Sequence, residues 1–210
     1  MILTPIDPAD VPRILAAFAA QLPAAGPARA VFARIAQTHR FCPGFTADLW
    51  AGQYKAVALA HRMGIPTRDE DPAVAFSWDG EVIRTRSETS VVFHEIAHWQ
   101  ITHPERRALP DFGLGAGPES GRAAEADAAT CVNEVTKEEE ENLSSLLGIL
   151  WEAVHDEPAI LAFAEQNWLE QYDKPGTPAH FVRCVDALIA RGLIDETGVP
   201  ISAPAISPTG

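Results

Sequence analysis

Val91-Val-Phe-His94-Glu95-Ile-Ala-His98-Trp99 holds two histidines four residues apart in an otherwise apolar run. An α-helix turns once in 3.6 residues, so His94 and His98 stack on one face and their imidazoles can meet at a single metal ion. Glu95 lies about 100° further round the helix, within reach of a metal-bound water but poorly placed as a third ligand. This pattern suits a metal that activates water, with Glu95 as general base. Short motifs of this kind also arise by chance. Two buried histidines without partners would be costly in an apolar helix, so metal binding is the favoured reading.

Working outward, Ala73-Val-Ala-Phe-Ser-Trp78 alternates in polarity, Asp79-Gly80 is a two-residue turn signal, and Glu81-Val-Ile-Arg-Thr-Arg86 is again extended. The pattern predicts an antiparallel β-hairpin over 73–86, directly before the histidine helix. Its free edge would offer an extended peptide a strand to pair with. Helical spacing resumes at Ser87 and ends at Pro104, and residues 108–121 form a Gly- and Pro-rich loop. Upstream, helices are expected over Pro8–Leu22, Pro27–His39 and Thr46–Met63, the last stopped by Gly64-Ile-Pro66. Downstream they are expected over Ala123–Val135, Lys137–Val154, Pro158–Gln171 and Pro178–Arg191. The expected fold is α+β: a mainly helical single domain over 1–195, a small antiparallel sheet beside the active helix, and a loose tail over 196–210.

A third ligand is needed. Ile101 stands where the longer His-Glu-x-x-His-x-x-Gly-x-x-His pattern requires glycine, so that pattern fails. The run Glu138-Glu-Glu-Glu141 opens a helix, where acids also suit the macrodipole simply as a solvated first turn. Leu143, Leu146, Leu147 and Leu150 mark its apolar face. Glu140 stands three and seven residues before Leu143 and Leu147, and Glu139 four and seven before Leu143 and Leu146. Both therefore share that face, whereas Glu141 falls on the opposite, small-residue side. Glu140 is favoured, with Glu139 and Glu141 as alternatives and Glu125 and Asp127 as weaker candidates. Donors for an oxyanion would have to come from His155, Tyr172 or His180, and nothing in their spacing selects one.

Acidic residues number 29 against 16 basic ones, a net charge of −13. Such a surface repels phosphates, so neither nucleic acid nor an anionic membrane is expected as partner, whereas a basic protein or peptide would be drawn in. The three cysteines, Cys42, Cys131 and Cys184, are widely spaced and argue against disulfides or a thiolate zinc cage. No signal peptide or membrane span is expected, and a cytoplasmic location follows.

His94-Glu-Ile-Ala-His98-Trp99, followed by Arg106-Arg107-x-Leu109-x-Asp111-Phe112-Gly113, resembles the elongation factor P hydroxylase family. That family carries His-Glu-Ile-x-His-Trp and then Arg-Arg-x-Leu-x-Asp-Phe-Gly. The likeness covers roughly residues 70–150. It departs at Leu114-Gly-Ala-Gly-Pro-Glu119, where the family continues with aromatic residues, and the stretch before the acidic helix is longer here. The resemblance implies a zincin-like fold and a metal held by His94, His98 and a downstream glutamate, which Glu140 matches if a longer loop is allowed. It also implies hydroxylation of a modified lysine on elongation factor P with molecular oxygen.

Two histidines and a carboxylate serve either iron, as a facial triad with open positions, or zinc, with Glu95 as base for peptide or amide hydrolysis. The resemblance favours Fe(II) and hydroxylation; Zn(II) hydrolysis and a non-catalytic metal-binding interaction protein are the alternatives. Arg107 and Asp111 could pair and hold the chain leaving the active helix, a structural reading at least even with a direct catalytic role for this segment.

Overall fold

The computed structural model describes residues 6–117, 120–166, 168–169 and 176–202. Their contacts fall into two units, one built from residues 6–48 and 145–201, the other from 49–144. The long helix α6 (Glu134–Val154) contributes its first half to the second unit and the rest to the first.

In the first unit the Ala-rich segments form α1 (Val11–Gln21) and α2 (Pro27–Gln37), each with proline in its first turn, where the missing N–H costs nothing. Then come α7 (Ala159–Glu165) and α8 (Gly176–Ala190). One phenylalanine from each helix meets in the core. Phe18 stacks on Phe32 at 5.0 Å, and Phe163 and Phe181 approach both edge-on. Each such buried ring is worth roughly 1.5–3 kcal/mol. Thr38 satisfies a buried donor here, its Oγ1 accepting from Ile160 N at 2.9 Å while donating to Ile35 O at 2.7 Å. Residues 195–202, expected to be loose, close a turn instead. Asp195 Oδ1 accepts from Thr197 N, Thr197 Oγ1 and Val199 N, and Ile194 pairs with Pro200. Residues 203–210 lie outside the described ones.

The second unit carries α3 (Gln53–Arg62), α4 (Thr89–Ile101), α5 (Ala123–Ala128) and the start of α6. α3 begins seven residues later than the periodicity suggested, because the Leu49 carbonyl is taken by Thr89 N at the head of α4 (2.8 Å). α5 stops at Ala128, and Asn133 opens α6 by accepting from Thr136 N at 2.9 Å, an N-cap that splits the helix expected over Ala123–Val135.

The sheet is the main correction. It has two strands of two residues each, β1 (Thr67–Arg68) and β2 (Ile83–Arg84), and they run parallel rather than antiparallel. The chain reverses at Asp79-Gly80, but through a four-residue loop, 79–82, rather than the expected two-residue turn. Asp79 Oδ1 accepts from Glu81 N and Val82 N, and Trp78 bridges Ile83 in antiparallel sense. No ladder follows, because Asp71 caps a single 3₁₀ turn at Pro72–Val74 and so removes the first expected strand. β2 is pinned by the buried Arg84, which bonds Glu70 (2.7 Å), Asp79 (2.9 Å) and the Phe76 carbonyl (3.1 Å). Two-residue strands give little edge for a peptide to extend.

Gly80 sits at φ +93°, and a Cβ there would stand 2.5 Å from the Ala108 carbonyl oxygen. Gly64 has φ +75° but open space around it. Gly80→Ala is expected to destabilise the protein by about 2–3 kcal/mol and Gly64→Ala by about 1 kcal/mol, measured by denaturant unfolding.

Candidate metal centre

α4 is apolar on most sides, burying Val92, Phe93, Ile96 and Ala97 against its surroundings. That leaves His94 and His98 on a common face, their Nε2 atoms 2.9 Å apart. The third group is Glu141 from α6, whose Oε2 lies 3.6 Å from His94 Nε2 and 3.4 Å from His98 Nε2. Among the described residues these three form the one cluster of His, Cys, Asp and Glu able to hold a metal ion. A triangle with those sides has a circumradius of about 1.9 Å. A single point about 2.1 Å from all three atoms therefore exists just off their plane, and that is the ordinary bond length of a divalent transition metal to imidazole or carboxylate. The residues present fit a metal.

Glu140, favoured from the sequence, points elsewhere. Its carboxylate is buried and paired with Arg106. Glu139 is exposed, Glu125 pairs with Arg122 at 3.6 Å, and Asp127 accepts from Ala116 N at 3.0 Å. The leucine face misled because α6 is buried on more than one side: Ser144 and Gly148 are as enclosed as Leu143 and Leu147. A signal for Glu141 was present. Ser144 comes one turn later on the same small-residue side, and its hydroxyl lies 3.0 Å from His98 Nδ1. A ligating histidine needs such a partner on its other nitrogen to fix tautomer and ring orientation. His94 Nδ1 is buried and has no hydrogen-bond partner among the described residues.

The electrostatics follow from this crowding. Burial alone would raise Glu141, but hydrogen bonds from both histidines and their charge hold it well below the usual carboxylate range. Burial also lowers His98, but Glu141, then Glu95 and Glu140, outweigh it and leave His98 raised. Burial and the neighbouring His98 lower His94. In the metal-free site His98 is thus the more readily protonated of the two imidazoles, beside the Glu141 carboxylate.

The loop after α4 closes over the site. Phe112 stacks on His98 (5.5 Å between centroids, 19° between planes) and on Trp78 (5.3 Å, 1°). Asp111 and Phe112 both sit in the left-handed region, at φ 42° and 55°. That conformation costs a non-glycine residue about 1–2 kcal/mol and persists only where the surroundings over-determine it. The Arg107–Asp111 pair does not form. Arg107 lies over the Trp99 ring at 3.9 Å and donates to Thr102 O, while Asp111 accepts from the Ser120 hydroxyl. Arg106 makes the tie instead, donating to Phe112 O (3.1 Å) and to Glu140.

Glu95 is half-buried on α4, close enough to act electrostatically on His98. Of the suggested oxyanion donors, His155 and His180 belong to the first unit, where His155 Nδ1 lies 2.7 Å from Trp151 O and His180 stacks on Trp168. Tyr172 lies outside the described residues.

Fold and site together define a mainly helical protein with a two-histidine, one-carboxylate cluster that could bind a metal ion. Residues 70–149 match the model of the elongation factor P hydroxylase family, the family that the His94–Gly113 motif resembles. The matched span runs from Glu70, a partner of Arg84, into the middle of α6, and contains every residue of the cluster. No curated protein and no solved structure matches the chain.

Two outcomes follow from the ion pair and the proton. Arg106→Met leaves Glu140 buried without its cation and is expected to cost about 3 kcal/mol, while adding Glu140→Leu recovers much of that loss in a double-mutant cycle. In the metal-free protein, Glu141→Gln removes the carboxylate that favours imidazolium and brings the His98 titration midpoint down, read from the imidazole C–H signals by NMR.

Proposed function

We propose that this protein is a metal-dependent hydroxylase acting on a protein side chain, with elongation factor P as substrate, Fe(II) held by His94, His98 and Glu141, and a cytoplasmic location. The convergence of those three donors inside the segment that matches the hydroxylase family carries the reading. The zincin-like relation belongs to the same proposal and rests on the histidine helix. When bound, the metal would bring molecular oxygen to a substrate C–H bond, one oxygen atom entering the bond and the other leaving as water at the expense of two electrons from an external donor.

The chain's own residues do the rest. Ser144 fixes the His98 ring through Nδ1, and Phe112 covers its face and keeps water from that side. Glu95, beside His94 on the helix, is placed to accept or return a proton next to the site without ligating. Both histidines must be neutral to bind a metal, and His98 is the harder to deprotonate. Metal occupancy is therefore expected to fall as pH drops through the raised His98 value.

The test is metal content and product together. Protein purified without chelator is expected to hold iron near one equivalent, lost in His94→Ala and Glu141→Ala but kept in Glu95→Gln and Glu140→Gln. Incubated with modified elongation factor P, oxygen and a reductant, it is expected to add one oxygen atom to the substrate by mass spectrometry. Glu95→Gln is expected to slow that by at least about tenfold. Iron retained in Glu141→Ala would remove Glu141 from the site. Zinc at full occupancy with no oxygen added would sink the hydroxylase reading in favour of hydrolysis.

A further inference from the structure

The Arg106 side chain grips both walls of the metal site. One guanidinium nitrogen donates to the Phe112 carbonyl at 3.1 Å, and the other reaches the Glu140 carboxylate. The first bond holds a residue whose backbone is in the left-handed region and whose buried ring lies on His98. The second holds the residue directly before Glu141 on α6. Both Arg106 and Glu140 are largely enclosed, with side chains 16 % and 10 % exposed, so water does not compete well for either end. The side chain of Arg107, next in the chain, instead lies over Trp99 and donates to Thr102 O.

We propose that Arg106 is a positioning residue of the metal site. Its planar fork sets the spacing between the Phe112 loop, which fixes the His98 ring, and the turn of α6 that presents Glu141. The physical reason is the fork itself. A guanidinium offers parallel donors in a fixed plane, so binding two acceptors at once fixes their separation and relative angle. An ammonium at the same place keeps the charge and loses that constraint. The strain at Asp111 and Phe112 needs something to hold it, and the Phe112 carbonyl bond supplies one such restraint.

This inference rests on the reading of His94, His98 and Glu141 as a metal site, and the experiment separates the two. Cobalt(II) is titrated into metal-free protein, and both its dissociation constant and its visible absorption spectrum are recorded. The wild type is expected to bind one equivalent. Arg106→Met is expected to bind about ten- to hundredfold more weakly, with a shifted cobalt spectrum. Arg106→Lys, which keeps the charge and guards against an unfolded Arg106→Met protein, is expected to show the same spectral shift and most of the affinity loss. Glu140→Gln keeps an acceptor oxygen and is expected to retain the wild-type spectrum, as is Arg107→Met. Wild-type affinity and spectrum in a folded Arg106→Lys or Arg106→Met protein would overturn the positioning role while leaving the metal site standing. No cobalt bound by the wild type would overturn both. An Arg107→Met spectrum altered as much as that of Arg106→Met would also overturn it, since the effect would then follow general loosening of the loop.

Discussion

Three polar side chains from two helices, the buried His98 and the half-buried His94 and Glu141, are pressed to within 3.6 Å of one another. Such a cluster is unfavourable in isolation, since two imidazoles face nitrogen to nitrogen and a carboxylate is partly stripped of solvent. Around it, the structure supplies what keeps the arrangement from relaxing. Ser144 bonds one imidazole, Phe112 lies on its ring, and Trp78 lies on Phe112 in turn. Arg106 ties that aromatic stack to α6. Natural sequences depart from local preference chiefly at functional sites, and the two left-handed residues at Asp111 and Phe112 are such a departure.

Much of this was legible in the chain. Periodicity found most of the helices and placed His94 and His98 on one face, because that argument needs only the 3.6-residue turn. The metal-ligand side of α6 was not legible by the same means. Hydrophobic patterning assumes that a helix has one buried face, and α6 is enclosed around most of its circumference from Leu143 onward. The stripe of Glu141, Ser144 and Gly148 carried the better signal, since polar and small residues inside a buried helix need a partner or a close neighbour. Arg106 and Arg107 could not be separated either, as adjacent residues in a loop follow no period.

The hairpin shows a different failure. The chain does reverse at Asp79-Gly80, but the bridge beside it pairs Trp78 with Ile83, so the loop has four residues, 79–82, rather than the expected two. The strand before it was lost to a stronger local instruction, Asp71-Pro72, which starts a helical turn through a side-chain cap and a preset φ. β2 then paired on its other side with a segment sixteen residues earlier, and the buried Arg84 tied both flanks to it through Glu70 and Asp79. Short strands are thus held here by charge and loop anchoring more than by ladder hydrogen bonds.

The order of the two units along the chain has a kinetic meaning. The first unit is assembled from segments before and after the second, so α1 and α2 cannot meet α7 and α8 until about a hundred intervening residues have been brought into a closed loop. Closing an unstructured loop of that length costs about 4 kcal/mol in chain entropy beyond a constant. The Leu49–Ser144 part of the second unit is one continuous stretch and bears no such cost. If it condenses first, the effective loop shortens sharply and the phenylalanine cluster of α1, α2, α7 and α8 becomes quicker to form. The residues that carry the chemistry would then also set the pace at which the rest of the chain folds.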